Sequence, residues 1–191
     1  MNIKLLFSAV LLTLACGYVF ALTNLALQVG LTPARVVEHY WGNEATQQQL
    51  RAEAAQANGQ AAPPPARAEE EMSFDALDKP SEPIMPVPSF KSLAAEGHFH
   101  LFGYTFLFFL CAFIISFAEL KAWLMNTLIL APFVASVFDI WSILLTRFFG
   151  PIFAWVLMAA GSTMGLSFGA VFVIALYQMW WMKGPAAQSR A

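Results

Sequence analysis

The chain of 191 residues is 59% hydrophobic and only 12% charged, and its net charge is −2. Soluble domains carry about 25% charged residues, so this composition excludes an ordinary soluble domain and indicates a protein that lies in a lipid bilayer. Because a basic stripe is also absent, nucleic acid is not an expected partner.

Four apolar runs are long enough to cross a membrane, which takes about 20 residues. They predict an all-α protein in which four transmembrane helices form a bundle, at residues 1–30, 98–118, 122–146 and 151–181. The first run begins like a signal peptide, with V-F-A at Val19 to Ala21 as a cleavage site. It continues apolar well beyond a signal core, so we expect a retained membrane anchor.

Basic residues outside the four runs predict the orientation, because Lys and Arg collect on the cytoplasmic side. Lys4 precedes the first run, Lys121 separates the second from the third, and Lys183 follows the fourth. This pattern predicts a bacterial inner-membrane protein with both termini in the cytoplasm, including the tail 183–191.

Residues 31–97 are then expected in the periplasm, between the first two spans. Their start is amphipathic, and residues 51–88 are rich in Ala, Gln, Pro and Glu, a composition typical of a flexible linker. Ser89 follows the last proline and fits an N-cap, from which a helix is expected to run into the membrane. Residues 98–182 hold the other three spans.

Polar side chains collect at the predicted outer level of the bundle. Asp139 lies inside an apolar run, where an ionisable group is costly unless it is paired or faces a polar cavity. Two interpretations remain open: Asp139 contacts Arg147 or another polar neighbour to hold the bundle, or it belongs to a functional pocket. The proposed pocket contains His39, His98, His100, Asp139, Ser142 and Arg147.

The histidines suggest a cofactor site. His98 and His100 lie about 200° apart on a regular helix, so one metal ion cannot easily bind both, whereas Glu96 and His100 are one turn apart. A divalent transition metal ion would use His39 with His98 or His100 and Glu96. Haem b would instead lie between His39 and one histidine of the second span, with Gly103 leaving room. The competing interpretations are interfacial histidines without a ligand, or a contact with a quinone headgroup.

Glycines repeat every fourth residue along one face of the last span, at Gly161, Gly165 and Gly169. Small residues at this spacing let helices approach closely. We expect the glycine face to close the bundle, with a homodimer contact as the alternative.

Four strings resemble a known family: VVEHYWGNE, SFKSLAAEGHFHLFG, the D-x-x-S-x-x-L-T-R run from Asp139 to Arg147, and MGLS from Met164 to Ser167. The chain resembles small, uncharacterised proteobacterial inner-membrane proteins with four spans and an H-x-H motif at the outer face. The resemblance implies the four-span fold and the outer cluster as a unit, and it supplies no reaction.

The leading hypothesis is a non-enzymatic membrane protein that binds a metal ion or haem at the outer cluster, in electron transfer or the assembly of a respiratory complex. The alternative is a structural or scaffolding subunit without a cofactor, which contacts a membrane-protein partner or a second copy. An enzyme acting on lipid or quinone ranks last, because no nucleophile or second carboxylate accompanies Asp139 at a suitable depth.

Overall fold

The computed structural model describes residues 3–58 and 86–182, and within these ranges all regular structure is helical. Six helices follow one another along the chain: α1 Ile3–Gln28, α2 Pro33–Tyr40, α3 Glu44–Ala57, α4 Phe90–Ile115, α5 Ala122–Phe148 and α6 Phe153–Trp180. Of these, α1, α4, α5 and α6 are long and apolar enough to cross a membrane. The predicted four-span, all-α bundle is confirmed.

The spans are somewhat shifted from the predicted bounds. Helix α4 begins at Phe90, as expected from the N-cap at Ser89 and before the predicted start of the span at residue 98. Ser89 caps it by accepting a hydrogen bond from the backbone N–H of Ser92. Helix α3 continues to Ala57, inside the range 51–88 for which composition predicts a linker. Residues 59–85 of that linker, and the predicted tail 183–191, lie outside the described residues.

Two turns place α2 and α3 at one end of the bundle. Gly30 has φ +94° and ends α1, and Gly42 has φ +85° between α2 and α3. L-residues with a side chain rarely adopt this left-handed region. Thr32 and Asn43 then cap the two short helices, with Pro33 in the first turn of α2. We call this the α2 end of the bundle.

Helix α5 lies between α4 and α6 and contacts both along its length. The main core joins these three helices through Phe108, Cys111 and Ile115 of α4, Leu128 and Ala135 of α5, and Met164, Phe168 and Val171 of α6. At the end opposite α2, the Gln178 side chain hydrogen-bonds the backbone of Glu119: it accepts from the N–H at 2.7 Å and donates to the carbonyl at 3.2 Å. The turn between α4 and α5 is thereby tied to the end of α6.

Helix α1 is attached mainly by its first half. Leu11 is fully buried, and the indole Nε1 of Trp180 donates to the Ser8 hydroxyl at 2.9 Å. Farther along, Tyr18 packs its ring against Phe168. Residues 19–28 are all exposed. The second half of α1 therefore contributes little to the bundle core.

Candidate functional site

The α2 end brings four helices together around a small apolar base. Val36 and Tyr40 of α2 are buried against Leu93 of α4, Ile143 of α5 and Ala154 of α6. Because α2 is amphipathic, it lays its apolar face on the ends of the three spans and leaves Arg35 exposed. The base positions Tyr40 over the polar groups between α4 and α5.

Asp139 is the central polar residue of this end. It lies on α5 with only 7% of its surface exposed. The hydroxyl of Tyr104 on α4 faces this carboxyl and interacts with it electrostatically. Glu96 of α4 and Tyr40 of α2 lie within electrostatic range of the same carboxyl. We call these four residues the Asp139 cluster.

Tyr40 lies on α2, outside the spanning helices, and the pKa of its phenol reflects the electrostatic character of the Asp139 cluster. Burial is the main cause that raises the pKa of its phenol above the ordinary value, and the carboxylates of Glu96 and Asp139 raise it further. Burial and negative charge both disfavour the phenolate. The α2 end therefore favours neutral or positively charged groups.

Helix α6 faces the cluster with a glycine. A Cβ placed on Gly161 would lie 4.0 Å from Oδ1 of Asp139, and one on Gly165 would lie 2.5 Å from the hydroxyl of Tyr18. Gly169 has nothing within 4 Å. The three predicted packing glycines thus differ in surroundings: Gly161 and Gly165 leave room for polar side chains of α5 and α1, while Gly169 lies on an open face.

Hydroxyl side chains extend the polar face of α5. Ser136, Ser142 and Thr146 are buried on the same side of the helix as Asp139. The Ser136 hydroxyl donates to the carbonyl of Phe133 at 2.8 Å. The Thr146 hydroxyl is fully buried without a hydrogen-bond partner. Sequence analysis had included Ser142 among these residues and had missed Thr146.

The two histidines of the H-x-H motif lie on different sides of α4. The ring of His100 contacts Tyr104, with centroids 5.5 Å apart, which places His100 beside the Asp139 cluster. The ring of His98 contacts Phe99 and Phe102 instead. Both histidines are exposed. The helix therefore separates the pair, in agreement with the angle expected from their spacing.

His39 and Arg147 have neighbours of their own. The half-buried His39 ring meets the Tyr40 ring edge-on at 4.7 Å. Arg147 donates from Nε to the carbonyl of Pro88 at 3.1 Å and lies over the ring of Phe148. Arg147 therefore holds the segment before α4, and the partner of Asp139 is Tyr104. Gly103 of the proposed haem site has open space around it.

The predicted pocket is thus partly assembled. The structure places Glu96 within electrostatic range of Asp139 and places His100 and His39 beside two tyrosines of the cluster, while His98 and Arg147 lie apart. In residues 3–58 and 86–182, no group of three or more His, Cys, Asp or Glu side chains is arranged to hold a metal ion. Sequence reasoning missed Tyr104 and Tyr40. The signal for Tyr104 was its spacing, because Glu96, His100 and Tyr104 recur every fourth residue.

Comparison with known proteins supports the membrane assignment. No curated protein and no solved structure gives a significant match to the chain. One family model, Aq_1264_TM, described as a transmembrane helical domain, matches residues 30–186, which include α2 to α6. As the match covers well over half of the chain, the protein belongs to this family of transmembrane helical domains.

Proposed function

We propose that this integral membrane protein is a non-enzymatic subunit whose working site is the Asp139 cluster, which takes up and releases a proton. The placement of Asp139 carries the proposal. Its carboxyl is buried and faces the Tyr104 hydroxyl, and no Lys, Arg or His of the described ranges lies within ion-pair distance of it. A charged Asp in the membrane costs about 3 kcal/mol, and such residues mark proton and ion pathways.

The neighbours of Asp139 offer a route to the surface. The Tyr104 hydroxyl faces the carboxyl, and the exposed His100 ring contacts the Tyr104 ring. Imidazole is the side chain that most readily exchanges protons near neutral pH. Glu96 lies one helical turn from His100 toward the start of α4. An exposed base therefore lies beside the tyrosine that faces the buried acid. Because the two rings meet in a tilted ring contact rather than through a hydrogen bond, the proposal has water carry the proton between the His100 imidazole and the Tyr104 hydroxyl.

Infrared difference spectroscopy of the purified protein in lipid tests this proposal. We expect an absorption band of a protonated carboxyl that disappears as the pH is raised. The Asp139→Asn variant should lack the band, and Tyr104→Phe should shift its frequency because one hydrogen bond is lost. Glu119→Gln, at the exposed turn between α4 and α5, is the matched control and should leave the band unchanged. If Asp139→Asn gives the wild-type spectrum, the proposal is wrong.

The role of His100 is tested in the same experiment by the rate at which the carboxyl band appears. Its replacement by alanine should slow the appearance of the band after a pH jump and leave its final amplitude unchanged. His98→Ala is the matched control, since His98 contacts only phenylalanines among the rings around it. Equal rates in the two variants would remove His100 from the route.

The second candidate function is binding of haem b or a divalent transition metal ion, in electron transfer or the assembly of a respiratory complex. One observation favours it: His39 contacts Tyr40 and His100 contacts Tyr104, so two imidazoles flank the same cluster. Glu96 would add a carboxylate ligand to a metal ion, and the open space at Gly103 suits a porphyrin edge.

Absorption spectra of the detergent-purified protein, oxidised and then reduced, test this candidate together with elemental analysis. A Soret band that shifts on reduction supports haem, and a stoichiometric metal without that band supports a metal site. Either signal should disappear when His39 and His100 are both changed to alanine. Retention of the cofactor in that variant, or absence of any cofactor in native membranes, contradicts the candidate.

The proposal places the α2 end in the periplasm and both termini in the cytoplasm of a bacterial inner membrane. The support is the position of the basic residues: Lys4 at the start of α1 and Lys121 at the start of α5 lie at the end opposite α2. Cytoplasmic ends of spans attract Lys and Arg. A proton taken up at Asp139 would then come from the periplasmic side.

A further inference from the structure

One outward face of α4, continued by the turn after it, carries phenylalanine rings. Six of them recur at intervals of three or four residues, and each is 49% to 73% exposed: Phe99, Phe102, Phe106, Phe109 and Phe113 on α4, and Phe117 in the turn. We call this face the phenylalanine stripe. At 100° per residue the positions on α4 fall within an arc of about 80°. The arc lies opposite the buried face of α4 that includes Leu93, Phe108 and Ile115.

The spacing of the stripe is that of a helix-pairing seam. The first five rings follow the alternation of three and four residues that keeps one helix facing another. Exposed faces elsewhere are different: on α1 the exposed large side chains are mostly leucines, including Leu5, Leu12 and Leu22. Any residues confined to one face of a helix recur in this way. The stripe is set apart by its aromatic composition, because rings of the same row already pack against another helix at one end.

The bundle already uses one end of the stripe for helix packing. Phe7 of α1 meets Phe113 with ring centroids 6.0 Å apart and Phe117 at 5.7 Å. Edge-on and tilted aromatic contacts of this kind add attraction beyond the buried area. The four rings nearer the α2 end have no neighbour from another helix among the described ring contacts. These four rings belong to the same continuous face as Phe113 and Phe117.

We propose that a second copy of this chain covers the stripe, with α4 packed against α4. Two copies inserted with the same orientation have parallel helices, so a two-fold axis along the membrane normal brings each ring to its counterpart. A row of identical side chains is self-complementary under such an axis. Lipid tails supply no hydrophobic force between helices, and ring packing provides the attraction.

The exposed area suits a stable dimer. A phenylalanine buries about 200 Å² when fully covered, so the exposed fractions of the six rings amount to roughly 750 Å² per chain. Two copies would bury about 1,500 Å², the size of a standard specific interface. His98, whose ring contacts Phe99 and Phe102, would border the interface at the α2 end.

Cysteine cross-linking in native membranes tests the arrangement. The two natural cysteines, Cys16 and Cys111, are first changed to alanine. Phe102→Cys, Phe106→Cys and Phe109→Cys should each give a disulfide-linked dimer on mild oxidation, because each position meets its own counterpart. Leu130→Cys on α5, which is 60% exposed away from the stripe, is the matched control and should remain monomeric. No dimer at any stripe position overturns the proposal.

An adduct of a different mass at the stripe would also overturn it, since a different chain would then be the occupant. A second measurement avoids cysteines altogether. The triple variant Phe102→Leu, Phe106→Leu, Phe109→Leu keeps an apolar face, so membrane insertion is retained, and it should be monomeric by light scattering in detergent. The triple variant Leu130→Ala, Val134→Ala, Val137→Ala alters an exposed face of α5 and should stay dimeric. A phenylalanine variant as dimeric as the wild type contradicts the proposal.

Discussion

The hydroxyl of Tyr104 offsets part of the cost of burying the Asp139 carboxyl. Tyr104→Phe would leave this buried polar group without the hydroxyl that faces it. We expect the free energy of unfolding to fall by about 1–3 kcal/mol, measured by thermal or denaturant unfolding in detergent. Tyr177→Phe, on an exposed face of α6, should have little effect.

A double-mutant cycle distinguishes this contact from a general loss of packing. After Asp139→Ala, the additional change Tyr104→Phe should cost much less than it does in the wild type, because its partner is already absent. Additive effects of the two substitutions would show that the hydroxyl and the carboxyl do not interact.

Tyr40 gives the α2 end a dependence on alkaline pH. An unfolded phenol ionises near pH 10, whereas burial and the nearby carboxylates raise the pKa of the folded Tyr40 phenol. Its contribution to stability is therefore complete below about pH 10 and is lost as the pH rises further. Tyr40→Phe should make the decline shallower when unfolding is followed as a function of pH. An unchanged slope would contradict this assignment.

The sequence singles out Asp139 as a polar residue of the bundle, but it does not single out its partner. A lone carboxylate stands out in an apolar run, whereas Tyr104 lies within an aromatic run and resembles its neighbours. Arg147 was an expected partner because it is near in sequence, yet its guanidinium reaches Pro88, which precedes α4 in the chain. The roles of His39, His98 and His100 as ligands stay predictions.

The spanning helices could be predicted because each corresponds to one continuous apolar run in the sequence. The start of α4 was predictable for the same reason, since Ser89 and the prolines before it are local signals. The attachment of α1 was not, because it depends on pairs far apart in sequence: Ser8 with Trp180, and Tyr18 with Gly165. Only the folded bundle brings these together.

Substitutions at two glycines of α6 distinguish a specific contact with α1 from a general effect of a larger side chain on stability. Gly165→Leu should displace Tyr18 and weaken the contact between α1 and α6, because even a Cβ there would lie 2.5 Å from the tyrosine hydroxyl. Overpacking of this kind costs about 1–3 kcal/mol, visible as a lower melting temperature. Gly169→Leu is the matched control, since its surroundings are open. Equal losses in both variants would show that the contact between Tyr18 and Gly165 has no specific role.

The turn between α4 and α5 provides a test at the other end of the bundle. Gln178→Leu removes both hydrogen bonds to the backbone of Glu119, which together should contribute about 1–3 kcal/mol. Gln28→Leu is a suitable control, because the Gln28 amide bonds only within its own helix, to Asn24. If the two variants melt alike, the bonds to Glu119 contribute nothing measurable.

The whole molecule has two chemically different ends, and their sides of the membrane can be measured. In the cysteine-free background, a thiol at Gln48 of α3 should react with a membrane-impermeant reagent added to intact cells, since the α2 end is proposed to face the periplasm. A thiol at Glu119 should react only after the cells are opened. Both positions are exposed, so access to the reagent does not depend on unfolding. The reverse pattern would invert the proposed orientation.

The loose attachment of α1 has a consequence for how the protein is made. Its main partner is α6, which follows all the other described helices along the chain. At 5–20 residues per second, the roughly 150 residues that separate the ends of these helices take about 8–30 s to emerge. During that interval α1 must stay in the bilayer surrounded by lipid. Its leucine-rich, almost unburied surface suits that interval, because side chains that face lipid need no protein neighbour.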